Sequence, residues 1–569
     1  MNKLHENIIE KSLKIISILV ILAVLLIISF IIVESIPAIQ KIGFIEFIFG
    51  SVWDPKHDIY GVLPMITSTL IMITISLIIA IPLSIGCAIF TTQYANNFMR
   101  KILKPTIQTL AGIPSVIYGF FGLVIIVPFI RENIGGSGFS LLSASIILAI
   151  MILPTIITIS EDSLKTIPED FYEISYALGA TKLQTIRKAI LPSALPGIIT
   201  AIILGLGRAI GETMAVIMIA GNVAEYPTSV LSPVRSLTSN IALEMGYAID
   251  LHYNALFMTG LILLVVIMIL IAIAQYVQNK NKLEGMWIIM NLNIKFQDKL
   301  AKYIFWSIGI FTILILVTII GYIFINGIGY VTLDFILTSP KDFGASGGIL
   351  PMIISTIYVT FFAILISTPL GIAVAVYLHE YTQKSHLTET IRYALKLLAS
   401  LPSIIFGLFG LIFFVEFMNL GWCVLSASLT LALMALPTII QTTENALDAI
   451  PESYKEASLA LGATKFETII KVIIPAAIPA ITTGIILAIT RAIEETAAVM
   501  YTVGSSTAIP LSIFDPARPL PLHIYMLATE SVSLNNTYAT AVVLILLILI
   551  ITFTTNYLVE RQQRKLKGE

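Results

Sequence analysis

Charge is what this sequence has least of. Only 12% of its 569 residues are Asp, Glu, Lys or Arg, where a soluble domain carries about 25%. That shortage excludes an ordinary water-facing surface, and the 57% hydrophobic share makes lipid the natural solvent for much of the chain. The formal net charge is −1, so no overall basic field points to nucleic acid. Cysteine is nearly absent: Cys87 and Cys423 are the two, both in apolar runs. A disulfide framework and a cysteine zinc site are thereby excluded, and both thiols read as core. No G-x-x-x-x-G-K-[S/T] loop occurs, and "GATK" has the wrong glycine spacing for one, so the chain has no ATP-phosphate loop of its own.

What it does have is long apolar runs. A helix needs about 20 mostly apolar residues to cross a bilayer. About twelve such runs are present, centred near Ala23, Ile75, Gly119, Ile150, Leu204, Val266, Leu314, Phe362, Gly410, Leu433, Leu487 and Leu546. The first is too long for a secretory signal and no small-x-small site follows it, so it reads as a retained span. Basic residues fill every second connection. Lys11 and Lys14 precede the first span, Arg100 and Lys104 follow the second, and Lys182, Arg187 and Lys188 follow the fourth. Lys280, Lys282 and Lys299 follow the sixth, Arg392 and Lys396 the eighth, Lys465 and Lys471 the tenth, and Arg561 and Arg564 the last. The connections around Trp53, Tyr247, Asp342 and Pro516 are poor in both residue types. Twelve spans in a cell membrane with both termini cytoplasmic satisfy this alternation.

The chain is written twice. "GVLPMITSTL" at Gly61 returns as "GILPMIISTI" at Gly348, and "GIPSVIYGFFGL" at Gly112 returns as "SLPSIIFGLFGL" at Ser400. From Pro154 and from Pro437, "LPTII", "IPE", "ALGATK" and two prolines align at constant offset. Each half has an even number of spans, so the repeats are parallel and related by an axis along the membrane normal. The expected organisation is all-α: a first half at 1–284, a polar cytoplasmic linker at 285–300 containing Met286 and Met290, and a second half at 301–569.

Two features stand out from the oil. The first is "IPEDFYEISYALGATKLQTIRKAILP" with its duplicate "IPESYKEASLALGATKFETIIKVIIP". Pro168 and Pro451 suit a first helical turn, Gly179 and Gly462 a left-handed stop, and Thr181/Gln184 and Thr464/Glu467 a capping box. Pro192 and Pro475 mark a bend into the next span. This is helix, tight turn, helix. An interfacial pair resting on headgroups is the plain alternative, but lipid does not ask for a fixed turn and a docking partner does.

The second feature is "RAIGETMAV" at Arg208 and "RAIEETAAV" at Arg491. On a continuous helix Arg208 and Glu212 share a face, as do Arg491 and Glu495, with Glu494 three positions away. An arginine at the bilayer centre costs about 2.5–3.5 kcal/mol or more, so both clusters should face protein or a wet cavity. A structural ion pair locking two helices is one reading. The other is an anion path, since guanidinium is a fixed charge with a planar donor fork suited to an oxyanion. Trp53, Asp54 and Asp58, and Asp515, Arg518 and His523, are either ordinary loop residues or contacts for an outer partner. No metal-ligand or nucleophile constellation accompanies the carboxylates.

The helix–turn–helix resembles the EAA loop of ABC importer permeases, through Glu173, Ala177, Gly179, Leu191 and Pro192, and through Glu456, Ala457, Ala460, Gly462 and Pro475. It departs from that pattern at Ile174, for the usual Ala, and at Ile474, for Leu, and keeps the apolar character at both. The resemblance implies a coupling element, with Glu173, Ala177, Gly179, Glu456, Ala460 and Gly462 seating a dimer of separate ABC ATPase subunits. "LGLGRAIGETMAVIMIAGN" resembles the matching helix of PstC-type phosphate permeases, and "RAIEETAAV" with "PLSIFDPARPLPLHIYMLATE" is similar to the PstA type. What this implies is a natural fusion of two such subunits with a type I ABC importer (MetI-like) fold. It further implies an extracytoplasmic phosphate-binding protein as partner, and phosphate passage by Arg208, Glu212, Arg491 and Glu495, with no cofactor and no enzyme site. Glu494 stands where the first half has Gly211, and either weakens anion entry or pairs with Arg208 across the axis. Sulfate or molybdate as cargo, a twelve-span secondary transporter and a membrane scaffold are the competing readings.

Overall fold

Inside a bilayer every backbone N–H and C=O must find its partner within the segment, so apolar runs fold as helices. The computed structural model describes residues 3–280, 294–382 and 386–567. Eleven of its helices are long and apolar enough to cross a membrane. In the first half they are span 1 (Ile8–Ile42), span 2 (Leu63–Tyr94), span 3 (Ser115–Asn133), span 4 (Leu141–Lys165), span 5 (Lys182–Gly211) and span 6 (Asp250–Tyr276). In the second they are span 7 (Phe296–Tyr330), span 8 (Leu350–Tyr381), span 10 (Val424–Asp448), span 11 (Lys465–Glu494) and span 12 (Leu534–Thr554). Where the repeat expects span 9, His386–Ser400 meets the apolar arm Ser403–Phe417 at a 100° bend, which brings the number to as many as twelve. The bend falls at Pro402, which ends one helix and precedes the next. Residues 285–293 of the expected linker lie outside the described residues, Met286 and Met290 among them, whereas Ile294–Gly327 is already helix.

Two small antiparallel hairpins join spans 1 to 2 and 7 to 8, pairing Trp53 with Tyr60 and Pro340 with Gly347. Cys87 and Cys423 are buried free thiols.

The chain packs as two compact units that do not follow the sequence halves. One joins Met1–Ile36 to Gly327–Glu569, and the other is Pro37–Asn326. Each unit therefore contains the first span of the opposite half. In the first of them, Val20 is buried with Val374, Ala375 and Ile440, and Phe30 lies edge-on to Phe413 at 5.5 Å. In the other, Trp306 packs edge-on against Phe90 at 5.0 Å and Phe305 stacks on Tyr94 at 5.3 Å.

Spans 4 and 10 form the buried centre of their units. Between lipid-solvated helices the hydrophobic effect gives little grip, so small residues and side-chain hydrogen bonds hold the contact. Ser76 Oγ donates to the Ser145 carbonyl at 3.0 Å, and Ser145 Oγ to the Met72 carbonyl at 3.2 Å. The duplicate, Ser428 Oγ, donates to the Val359 carbonyl at 3.1 Å.

Pro192 and Pro475 do not bend their helices sharply. Spans 5 and 11 run on through π-helical turns at Ile186–Ile190 and Ile469–Ile473. A proline removes one N–H and pushes on the carbonyl a turn earlier, and a widened turn just upstream makes room for both.

Candidate functional site

The two arginine clusters sit at matching helix breaks. The helix Leu191–Gly211 ends at Glu212, whose backbone is extended (φ −70, ψ 131), and a short helix resumes at Met214–Ile219. In the second half Ile474–Glu494 ends at Glu495 (φ −74, ψ 128), and Ala497–Met500 follows. Each helix is thus interrupted at the Glu itself, after the four-residue spacing that sets Arg208 with Glu212 and Arg491 with Glu495 on one face. Glu212 accepts the Ala215 N–H at 3.0 Å, and Glu495 the Ala498 N–H at 3.2 Å. Each carboxylate satisfies an N–H that the first turn of a helix leaves without a partner, at the positive end of that helix. Glu495 also accepts from the Ser403 hydroxyl at the start of the span 9 arm. Ser115 holds the same sequence place in the first half.

Both arginines reach the same landmark. Arg208 Nη1 donates to Thr155 Oγ1 at 3.2 Å, and Arg491 Nη1 to Thr438 Oγ1 at 3.4 Å. Thr155 and Thr438 stand close to the middle of spans 4 and 10, so both guanidinium groups lie at mid-depth of their own bundles. Arg208, Glu212, Glu494 and Glu495 are half-buried and Arg491 is exposed. Glu494 is the last helical residue before the break, at the place of Gly211.

The short helix beyond each break is seated on a glycine. A Cβ at Gly119 would come within 2.9 Å of the Ala215 backbone, and one at Gly407 within 2.9 Å of the Ala497 carbonyl. Gly119→Val and Gly407→Val are therefore expected to push the short helix off its seat. Overpacking of this kind destabilises by about 1–3 kcal/mol. A lower midpoint of thermal unfolding for each purified variant checks it, and an unchanged midpoint contradicts it.

At the basic end the helix–turn–helix forms largely as its sequence dictates. Asp170–Ala177 and Glu452–Ala460 are helices, and Gly179 and Gly462 adopt φ of 78 and 86. Both capping boxes are complete, Thr181 with Gln184 and Thr464 with Glu467. Pro168 and Pro451 stand just ahead of the helices rather than inside their first turn. Glu173, Ala177, Gly179, Glu456, Ala460 and Gly462 are all exposed. Beside them Leu178 is 83% and Leu461 89% exposed.

Three sets of residues have contacts that the sequence reading did not give them. The turn lysines are anchors: Lys182 donates to the Gln93 carbonyl and lies 4.7 Å over the Tyr94 ring, and Lys465 donates to the Glu380 carbonyl, 4.7 Å over Tyr381. Acids from the exchanged first helices cap the next element, Asp298 accepting from Leu183 N–H at 3.1 Å and Glu6 from Lys465 N–H at 3.0 Å. At the opposite end Arg235 donates to the Asn222 carbonyl at 2.9 Å, and Arg518 to the Ser505 carbonyl at 3.0 and 2.7 Å. The signal for the arginines and lysines was their recurrence at the repeat offset; Asp298 and Glu6 gave none.

Of the outer residues considered as partner contacts, Arg518 and His523 are buried. Trp53 turns inward and donates to Glu244 at 2.8 Å, which also holds Arg235 and His252. Asp54 faces outward beside His57, whose hydrogen bond holds its carboxyl below the usual range.

The family model of the binding-protein-dependent transport system inner membrane component matches this chain twice, at residues 80–283 and 367–568. The probable ABC transporter permease protein YqgH of Bacillus subtilis is 43% identical over 43% of this chain and 81% of its own length. The phosphate transport system permease protein PstC of Pasteurella multocida is 35% identical over 48% of this chain and 93% of its own. The PstA homolog of Mycoplasma pneumoniae, also named a phosphate transport system permease protein, is 26% identical over 87% of this chain and 86% of its own. The two matched segments each contain one arginine cluster and one helix–turn–helix, so the chain belongs to the inner membrane components of binding-protein-dependent transport systems and carries that permease domain twice.

Proposed function

We propose that this chain is the transmembrane permease of an ATP-driven inorganic phosphate importer, two subunits' worth of pathway in one polypeptide. The observation that carries the reading is the duplicated arginine at mid-depth, one per half, beside an interrupted helix. Broken membrane helices expose backbone only where it lines a cavity or packs in protein, and they mark binding sites in transport proteins. Phosphate is the cargo named for the PstC and PstA-homolog relatives, and a fixed guanidinium fork suits its oxygens. Glu212 and Glu495, held on the next helix, keep each cation from trapping the anion.

The basic ends, with both termini, face the cytoplasm. There Leu178 and Leu461 offer exposed apolar tips on a charged surface, the pattern of a docking site rather than of a solvated turn. Two PstB-like ATPase subunits seat on these elements through the surfaces around Glu173, Ala177 and Gly179, and around Glu456, Ala460 and Gly462. Lys182 and Lys465 tie each element to the end of span 2 or 8, so movement of the motor is passed to the membrane. A PstS-like binding protein delivers phosphate at the other end. ATP hydrolysis belongs to the separate subunits.

The test is uptake of labelled phosphate into proteoliposomes holding this chain, its ATPase and its binding protein. Uptake that requires ATP and is not displaced by excess sulfate is expected. Uptake driven by an ion gradient alone would reject the importer, and equal uptake of sulfate or molybdate would reassign the cargo.

A further inference from the structure

The duplication allows each position at the cytoplasmic end to be compared with its twin, and the surroundings of the end of span 2 differ in charge from those of span 8. In the second half the end of span 8 is closed by ion pairs. Lys455 meets Glu380 at 2.6 Å, His379 meets Asp448 at 2.9 Å, and Arg392 meets Glu444 at 2.9 Å. The sequence repeat sets Gln93 at the place of Glu380, Tyr172 at that of Lys455, Lys165 at that of Asp448 and Lys104 at that of Arg392. Gln93 and Tyr172 form a neutral hydrogen bond of 2.6 Å. Glu161, the twin of Glu444, is taken by Lys165. Lys104 is thereby left with no carboxylate partner among the described residues. Arg100, whose twin is Thr388, is held rigidly by the Thr91 and Thr92 carbonyls at 3.0 and 2.8 Å.

These groups line a cavity of about 550 Å³ between the end of span 2, the helix Asn97–Ala111, the end of span 4 and the helix Asp170–Ala177. That is a size typical of small-ligand sites. The lining brings Arg100, Lys104 and Lys165 together with Glu161, Glu169 and Glu173. Cations alone would accept any anion. Carboxylates beside them accept hydrogen bonds but donate none when ionised. The ligand that satisfies both sets carries negative charge and an O–H.

We propose that the first half holds a cytoplasmic site for a protonated phosphate group, bound by Arg100 and Lys104 beside the Lys165–Glu161 pair, where its duplicate has joined Arg392 to Glu444 and Lys455 to Glu380. The inference stands apart from the arginine pathway: none of Arg208, Glu212, Arg491 or Glu495 lines the cavity. Because Tyr172, Glu173 and Tyr176 form one wall, an occupant bears directly on the helix proposed to seat the ATPase.

Two sources offer this chemistry, free inorganic phosphate and the phosphomonoester of phosphatidic acid, and two arms separate them. In one, equilibrium binding of labelled inorganic phosphate is measured on the full chain in phosphatidylcholine nanodiscs, in an Arg208→Gln, Arg491→Gln background. In the other, phosphatidic acid retained through purification from a lipid mixture is counted. Arg100→Gln with Lys104→Gln is expected to weaken whichever binds by roughly tenfold or more, the effect of losing charge-assisted hydrogen bonds. Lys104→Glu alone, on an exposed residue, should do the same without disturbing the fold. A graft of the other half's pairs, Gln93→Glu with Tyr172→Lys and Lys165→Asp, should close the site. Loss in the first arm supports a free-phosphate site and loss in the second a lipid site. No loss in either arm, or a graft that binds like the natural chain, overturns the proposal. Sulfate competing as well as phosphate overturns the assignment to a protonated group.

Discussion

Arg208→Gln and Arg491→Gln each lower phosphate uptake roughly tenfold to a hundredfold, the effect of losing a charged hydrogen-bond donor from a site that holds an anion. Glutamine keeps amide N–H groups but not the charge, so the loss reports the electrostatic part. Folding should survive. Arg491 is exposed within its chain, and the bond from Arg208 to Thr155 has no special geometry that glutamine would violate. Lysine at either place retains charge without the planar fork, and uptake should fall between the natural chain and the glutamine variant. A structural ion pair would behave differently: its loss would lower the unfolding midpoint in step with uptake. Uptake and unfolding of the same preparations separate the two readings.

Leu178→Glu combined with Leu461→Glu severs the motor. Each leucine buried at an interface is worth about 1.5–3 kcal/mol, so the pair should lose roughly two to four orders of magnitude in affinity for the ATPase subunits. Co-purification of the ATPase with the chain should fail, and uptake should drop to background. The two tips are 83% and 89% exposed, so the unfolding midpoint should stay where it was. Retention of the ATPase by the double variant would move the docking surface elsewhere.

The helix–turn–helix was legible because its determinants are local. A left-handed glycine, a capping box and a proline ahead of a helix each act within one turn of chain. The interruption at Glu212 was not legible. Apolar residues run on through "TMAVIMIAG", so hydropathy passes over the break, and only the repetition of Glu-Thr in both halves hinted at it. The exchange of first spans is a long-range fact with almost no local signature. Spans 1 and 7 are lipophilic on most faces, and nothing near Glu6 or Asp298 says which element each caps. The centre expected for span 9, Gly410, falls on the apolar arm Ser403–Phe417, but that arm crosses only as part of a pair bent by 100°, and the bend depends on how Pro402 meets the neighbouring helices. Arg518 and His523 looked like surface residues because the sequence around them is rich in proline; Arg518 is buried on a loop that folds back to the Ser505 carbonyl, and His523 on the helix Leu520–Thr529 that follows it.

The central claim is that each guanidinium group faces a solute-filled path within its own half. The direct measurement replaces Arg208 or Arg491 with cysteine, in a chain whose buried Cys87 and Cys423 are exchanged for serine, and follows reaction with a hydrophilic, membrane-impermeant thiol reagent in proteoliposomes. The account predicts that both cysteines react and that phosphate slows each reaction. Cysteines that resist the hydrophilic reagent, or that react at the same rate with and without phosphate, would contradict it.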